Sequence, residues 1–330
     1  MAALLLSCAT ELCASPLFED HTALDVTLRG PLDSVFADTE ERAERPFVIA
    51  VDGGEYPLKV RVRGNSRVRV CEFPPLRLNF RQADVQQTVF EGQDKLKLVT
   101  HCRNQDRAEQ DMLEEYAAYR IFNVLTDLSF RVRLLRISYV DTDGKLNEKG
   151  AHRFAFVLET VEQLAARMGA QPVTMPGVPK RRHDLEQAAL IYVYEYLIGN
   201  TDWGLVKADY DDGCCHNIEL FERDDIVVLI PYDLDLSGLV NARYAFPDRL
   251  LRIKKVTQRL YRGLCTDRTV LRSALEKVIA SETDIIGVLG STPGLSNDNR
   301  EKAIRFVNRF FEKAADKDKL IDEFERRCVG

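Results

Sequence analysis

Three short stretches of this 330-residue chain gather side chains that could do chemistry together. "IGNTDWGLV" (198–206) sets Asn200, Thr201 and Asp202 directly after a long apolar run. His216 and Asn217 then open one strand of a hairpin, and "PYDLDLSG" closes the other with Asp233 and Asp235. A hairpin brings its two ends together, so Asn217 and Asp233 can both lie near the loop that carries Asp202. Hard oxygen donors of this kind suit Mg²⁺ (or Mn²⁺), which usually takes one or two protein carboxylates and leaves its other positions to water and substrate phosphate. A further carboxylate off the metal can orient or deprotonate an attacking hydroxyl. Taken singly, Asp202 reads as a loop cap and Asn217 as a turn residue. Asp-x-Asp at the end of a buried-type strand is harder to dismiss, because paired carboxylates repel unless something positive sits between them.

The elements that must position these groups follow from periodicity. Apolar-polar alternation predicts strands over 23–30, 47–51, 56–64, 76–80, 95–99, 132–140 and 152–158, with turns at Asp52-Gly53-Gly54-Glu55 and Asp141-Thr142-Asp143-Gly144. One helix interrupts them at about 107–125, with Asp106 and Glu109 as a capping box and Leu113, Tyr116, Ala117, Ile121 and Val124 on one stripe. The second half reads as helical. Asp184 caps a helix that runs to Leu197, Gly199 ends it, and further helices are expected at 267–281, 298–314 and 316–327. The Pro-rich loop 169–182 is the natural boundary between halves.

Bulk composition narrows the function classes. The formal charge is -6, with Lys and Arg spread along the chain, which disfavours nucleic acid as a partner. No apolar run reaches the roughly 20 residues of a membrane helix. At the start, Leu5-Leu6-Ser7-Cys8 looks like a bacterial lipoprotein box but lacks a basic leader; residues 1–20 are read as a possible signal remnant, with cytoplasmic and exported locations both open. The eight cysteines show no CxxC pair and no zinc spacing with the five histidines, and adjacent Cys214 and Cys215 are expected not to pair readily.

The order of helix, loop Asp, hairpin Asn and strand-end Asp resembles the catalytic half of protein kinases. More closely, the chain resembles the CotH-type spore-coat kinase family over roughly residues 60–240. "RVRGNSR" (61–67) with "FPPLRLNF" (73–80), "HRFAFVLETVE" (152–162), and "GNTDW" with "HN" and "YDLDLSG" carry that resemblance. It implies an α+β, bilobal protein-kinase-like fold: a mostly β N-terminal lobe over 21–165 and a mostly α C-terminal lobe over 166–330. It further implies ATP with Mg²⁺ as cofactors, Asp202 with Asn200 as the catalytic loop, and Asn217, Asp233 and Asp235 on the metal. Gly64, Asn65 and Ser66 would approach phosphate, and Glu159 would sit near the adenine. Asn79 stands where the family's basic strand often carries lysine, which leaves Arg77 and Lys97 as candidates for the phosphate cation, with Glu115 as ion-pair partner. Asn217 follows Asp202 by 15 positions, against five in the HRDxxxxN loop of ordinary kinases, so "GLVKADYDDGCCH" must loop out.

The function expected is thus transfer of a γ-phosphoryl group to a hydroxyl on a protein, sugar or small molecule. The alternative is a catalytically inactive relative serving as a surface or coat-associated binding protein. A hydrolase using Asp202 and Asp233 is disfavoured by a single tryptophan and 8% aromatic content.

Overall fold

The protein, seen here as a computed structural model, is described over residues 15–144, 151–206 and 214–330. The lipoprotein-like box at 5–8 and the middle of the long insert, 207–213, lie outside the described residues.

Seven strands form a closed barrel. They are β1 (Leu24–Gly30), β2 (Arg45–Val51), β3 (Gly54–Val62), β4 (Leu76–Phe80), β5 (Lys95–Val99), β6 (Val132–Asp141) and β7 (His152–Leu158), in the order β1-β2-β3-β4-β5-β7-β6. Neighbours pair antiparallel except at the seam, where β1 runs parallel to β6 from Leu24↔Leu135 to Gly30↔Asp141. With β1 hydrogen-bonded on both sides, the sheet has no open edge. This overturns the expected bilobal kinase-like fold: a closed mixed barrel stands where an open β lobe was anticipated, although the α+β class holds. The cause is the seam itself, a pairing between strands more than 100 positions apart that alternation within each strand does not encode.

Side-chain alternation assigns each strand to two cores. Along β7, Ala155 and Val157 point into the barrel with Val26, Ile49, Val60, Leu78 and Leu98. Phe156 and Leu158 point outward into a larger core shared with the helices. That explains why β7 is buried on both faces and reads as a near-continuous apolar run.

The outer core is built on α3 (Asp106–Leu125), preceded in the chain by the short helices α1 (Leu32–Ala37) and α2 (Ser66–Val70). After β7 come α4 (Val161–Met168), a short strand β8 (Gln171–Pro172) and α5 (Leu185–Ile198). The hairpin β9 (Ile218–Arg223) and β10 (Ile226–Pro231) follows, then α6 (Arg268–Ala280), α7 (Glu282–Ser291), α8 (Asn297–Ala314) and α9 (Lys317–Arg327). Asp184 caps its helix as expected, accepting from the Gln187 amide at 3.0 Å, and Asp267 likewise accepts from the Thr269 amide at 2.7 Å. The Asp106 capping box does not form. Gln105 is the N-cap residue, Asp106 pairs with Arg153 at 2.9 Å, and Glu109 accepts from the Phe154 amide at 2.7 Å, so both acids tie the helix to β7. α3 comes from the first half of the sequence yet packs in the helical core, so the two halves share it.

Disulfides link Cys71 to Cys102 and Cys265 to Cys328, and the adjacent Cys214 and Cys215 are also joined. The expectation that this neighbouring pair stays apart is therefore corrected.

Candidate functional site

α5 is apolar almost throughout and stops at Gly199, whose φ of +67° is the left-handed turn that ends helices. The chain emerges with Asn200 and Thr201 buried and Asp202 partly exposed. The Asn200 Oδ1 accepts from the Asp202 amide at 2.9 Å, which fixes the turn. The Asp202 carboxylate accepts from Asn217 Nδ2 at 3.0 Å and meets His216 Nε2 at 3.1 Å, while Asn217 Nδ2 also donates to the Asp202 carbonyl at 2.7 Å. The loop and the hairpin are thus locked together as the spacing suggested.

Asn217 and Asp233 sit at the open end of that hairpin. The Asn217 carbonyl accepts from the Tyr232 amide at 3.1 Å, so Asp233 is the next residue along the opposing strand's exit. Both adopt left-handed backbones, φ +54° and +57°, a conformation that Asn and Asp tolerate better than other side chains and that concentrates at functional sites. The Asp233 amide donates to the Tyr119 hydroxyl at 2.8 Å, anchoring this turn to α3.

The positive charge between the acids is Arg67, from the segment "RGNSR". It is buried, donates through Nε to Asp235 Oδ2 at 3.0 Å, bonds Glu115 Oε2 at 2.8 Å and lies 3.8 Å from Asp233 Oδ1. Tyr244 donates to the same Asp235 oxygen at 2.8 Å. Glu115 was expected to pair with Arg77 or Lys97; its partner is Arg67. Asp235 Oδ2 is likewise spent on Arg67 and Tyr244. Burial pushes the Glu115 carboxyl up against the pull of Arg67, whose own proton the two carboxylates hold firmly.

A cleft opens beside this network, lined by Arg63, Gly64, Asn65, Ser66, Lys97 and Asp233, among others. Lys97 on β5 places its Nζ 5.6 Å from the Tyr232 ring centre. Burial, then the neighbouring Arg63, lowers the Lys97 ammonium pKa, and burial lowers that of Arg63. Two cations thus face one cleft without a carboxylate in bonding contact among the described residues, an arrangement suited to an incoming anion. Arg77 stands opposite Lys97 on β4 and stays outside the cleft lining. Asp233 keeps about half of its side-chain surface open to the cleft, 54%. Removal from bulk water inside that concavity and the nearby Asp235 still raise its carboxyl pKa, opposed by Arg67 and Arg63.

Glu159 is elsewhere. It is buried at the start of α4, where both of its oxygens accept from Arg167, at 2.9 and 2.8 Å, and the second also from the Arg131 amide at 3.1 Å. Its carboxylate is fully engaged in structure.

No protein-family model matches the chain, and no curated protein matches it. The site must stand on its own geometry.

Among the described residues no three His, Cys, Asp or Glu side chains form a metal cage. Asp202 and Asn217 are bonded to each other, and Asp233 leaves the same end of the hairpin; oxygen donors of this kind are the type that Mg²⁺ takes. Sequence reasoning assigned no role to Arg63 and Arg67, and noted His216 without one. The first two bracket the Gly64-Asn65-Ser66 turn, and that flanking pair was the available signal.

Behind the loop lies Glu195 on α5, 1% exposed. The Asn200 amide faces it without closing a hydrogen bond of good geometry. Burial pushes its carboxyl up to about 8, with Asn200 and Arg262 pulling down and Asp202 pushing up. A carboxyl raised in the folded state binds its proton more tightly there than in the unfolded chain, so stability falls as pH rises from about 4.5 to about 8. Glu195→Gln, which keeps shape without ionising, is expected to make that decline shallower and to raise the melting temperature at pH 8.5. A thermal melt series across pH 5–9 checks it, and parallel slopes would mean that Glu195 is solvated.

Proposed function

We propose that the protein is a divalent-cation-dependent phosphotransferase that moves the γ-phosphoryl group of ATP to a hydroxyl acceptor. The observation that carries this reading is one cleft in which Lys97 and Arg63 face Asp233, with the Asp202–Asn217 pair bonded to the adjoining hairpin end. Phosphoryl transfer needs positioning and neutralisation of spread negative charge more than covalent chemistry, and it does not depend on one fold.

In this reading Lys97 and Arg63 hold phosphate oxygens, and the Gly64-Asn65-Ser66 turn closes over them. Asp233 and Asn217 would hold Mg²⁺ or Mn²⁺, whose charge would offset that of the leaving group. Arg67 keeps Asp233 and Asp235 from repelling each other and leaves Asp235 a supporting role. Asp202, steered by His216 and Asn217, orients the acceptor hydroxyl and takes its proton as the oxygen attacks phosphorus and the bond to the departing ADP breaks. The resemblance to the CotH-type kinases supports the same assignment. The disulfides favour work in an oxidising compartment.

One measurement favours a second reading. The cleft holds about 80 Å³, well below the roughly 300–1,000 Å³ of ordinary ligand pockets, so nucleotide must widen it. A binding protein that takes only a small anion beside Asp233 needs no widening. Thermal shift separates the two. ATP with Mg²⁺ is expected to stabilise the protein by about 2–3 kcal/mol at a hundredfold excess over its dissociation constant, and inorganic phosphate much less. Equal shifts from the two would favour the anion-binding protein.

With labelled ATP and a panel of hydroxyl acceptors, Asp202→Asn should retain the nucleotide shift and lose about 10²–10⁴ of the transfer rate. An Asp202→Asn variant that no longer responds to nucleotide would assign the residue to architecture.

A further inference from the structure

An unexplained feature lies away from the phosphate cleft. A cavity of about 550 Å³ opens between α3, the segment after β10 and α8. Glu114 on α3 lines it and is 7% exposed, yet among the described residues it accepts no hydrogen bond and joins no ion pair. Burial, then the Asp111 carboxylate, pushes the Glu114 carboxyl well up, and burial lifts Asp111 to about 6. Asp111, one helical turn away on the same face, is less buried and takes the Arg243 backbone amide. The Glu114 oxygens are not sealed off but open on the cavity, so whatever fills that space meets a carboxyl that no donor among the described residues engages.

Charge is layered across this cavity. Its acids Glu114 and Asp111 are buried or partly buried, whereas four cations, Arg107, Lys302, Arg305 and Arg309, and two acids, Asp106 and Asp298, are exposed around its rim, which is therefore positive on balance. Arg305 pairs with Glu301 at 3.2 Å and Arg309 lies over the Phe306 ring, 5.4 Å from its centre. A purely anionic ligand would be drawn to the rim and repelled by the floor. A purely cationic one would meet the reverse.

We propose that this cavity binds a small zwitterion, an ammonium group seated against Glu114 and Asp111 with an anionic group held at the Lys302 and Arg107 rim. An ammonium brings three donors and no acceptor, the complement of the Glu114 carboxylate with Asp111 beside it. Its arrival restores the charge that burial suppresses in Glu114. The volume suits a molecule of amino-acid size or somewhat larger. Nothing in this inference depends on phosphotransfer.

Titration calorimetry of the whole protein with 4-aminobutanoate, butylammonium and butanoate tests it. The zwitterion should bind at least about tenfold more tightly than either single-charge analogue, since both ends contribute. Glu114→Gln preserves shape and removes the floor charge; it should weaken 4-aminobutanoate by about tenfold or more. Lys302→Met, on an exposed position with no packing role, should bring the affinity for 4-aminobutanoate toward that for butylammonium. Absent binding of 4-aminobutanoate, equal binding of the three probes, or unchanged affinity in Glu114→Gln with an intact melting transition each overturns the proposal.

Discussion

Arg67→Met should lower the unfolding free energy by about 3–5 kcal/mol, the usual consequence of removing one partner from a buried ionic network. Arg67 is the counter-charge to Glu115 at 2.8 Å and Asp235 at 2.7 Å, and both acids are buried. Met fills a similar volume but leaves two carboxylates facing each other, and each must then take up a proton or draw in water. The triple variant Arg67→Met, Glu115→Gln, Asp235→Asn should recover most of the loss, because neutral amides repel neither each other nor Asp233. Denaturant titration of the three proteins measures this. A loss below about 1 kcal/mol for Arg67→Met would place the network in a surface-like, water-screened environment.

Asp233→Asn is expected to reduce phosphoryl transfer by about 10²–10³-fold or more while leaving the melting transition in place. Asparagine is the right replacement, because residue 233 has φ +57° and Asn accepts the left-handed conformation that alanine resists. The backbone bond to Tyr119 is untouched, and the side chain is already half open to the cleft. What disappears is a carboxylate that faces Lys97 and Arg63 across the cleft. Mg²⁺-dependent stabilisation by ATP should weaken in parallel, measured by thermal shift. Transfer at the parent rate would remove Asp233 from the metal.

Much of the secondary structure was legible because its signals are local. Most barrel strands alternate apolar and polar residues, β7 being the near-continuous apolar exception, and all seven lie close to their expected positions. The caps at Asp184 and Asp267 formed because each acid is followed by helix-competent sequence with nothing nearby competing for it. Asp106 failed for the opposite reason: Arg153, 47 positions away, claims its carboxylate. Barrel closure was illegible since a parallel seam leaves no turn between the strands it joins. The short α1 and α2 are too brief to show a 3.6-residue period, and α7 lies between the expected helices 267–281 and 298–314, in a stretch given no assignment.

The site divides along the same line. The loop Asp202, the hairpin Asn217 and the exit Asp233 were legible from order along the chain, since a helix stop and a tight hairpin dictate their proximity. The cation was not. Arg77 and Lys97 share a face of adjacent strands, and nothing in alternation distinguishes them from Arg67, which reaches the acids only because α2 turns it inward. Glu159 ended a strand as expected, but its partner Arg167 lies two helical turns on, where i to i+8 proximity depends on how the helix leaves the strand.

The seam between β1 and β6 also sets a schedule for how the chain is made. Residue 24 must wait for residue 135 before its second row of hydrogen bonds can form. During synthesis the emerging polypeptide therefore carries an unfinished sheet with two raw margins until the seventh strand, which bridges β5 and β6, clears the ribosome. Because contacts so distant in sequence slow assembly, this interval is when neighbouring nascent chains are most able to stitch together.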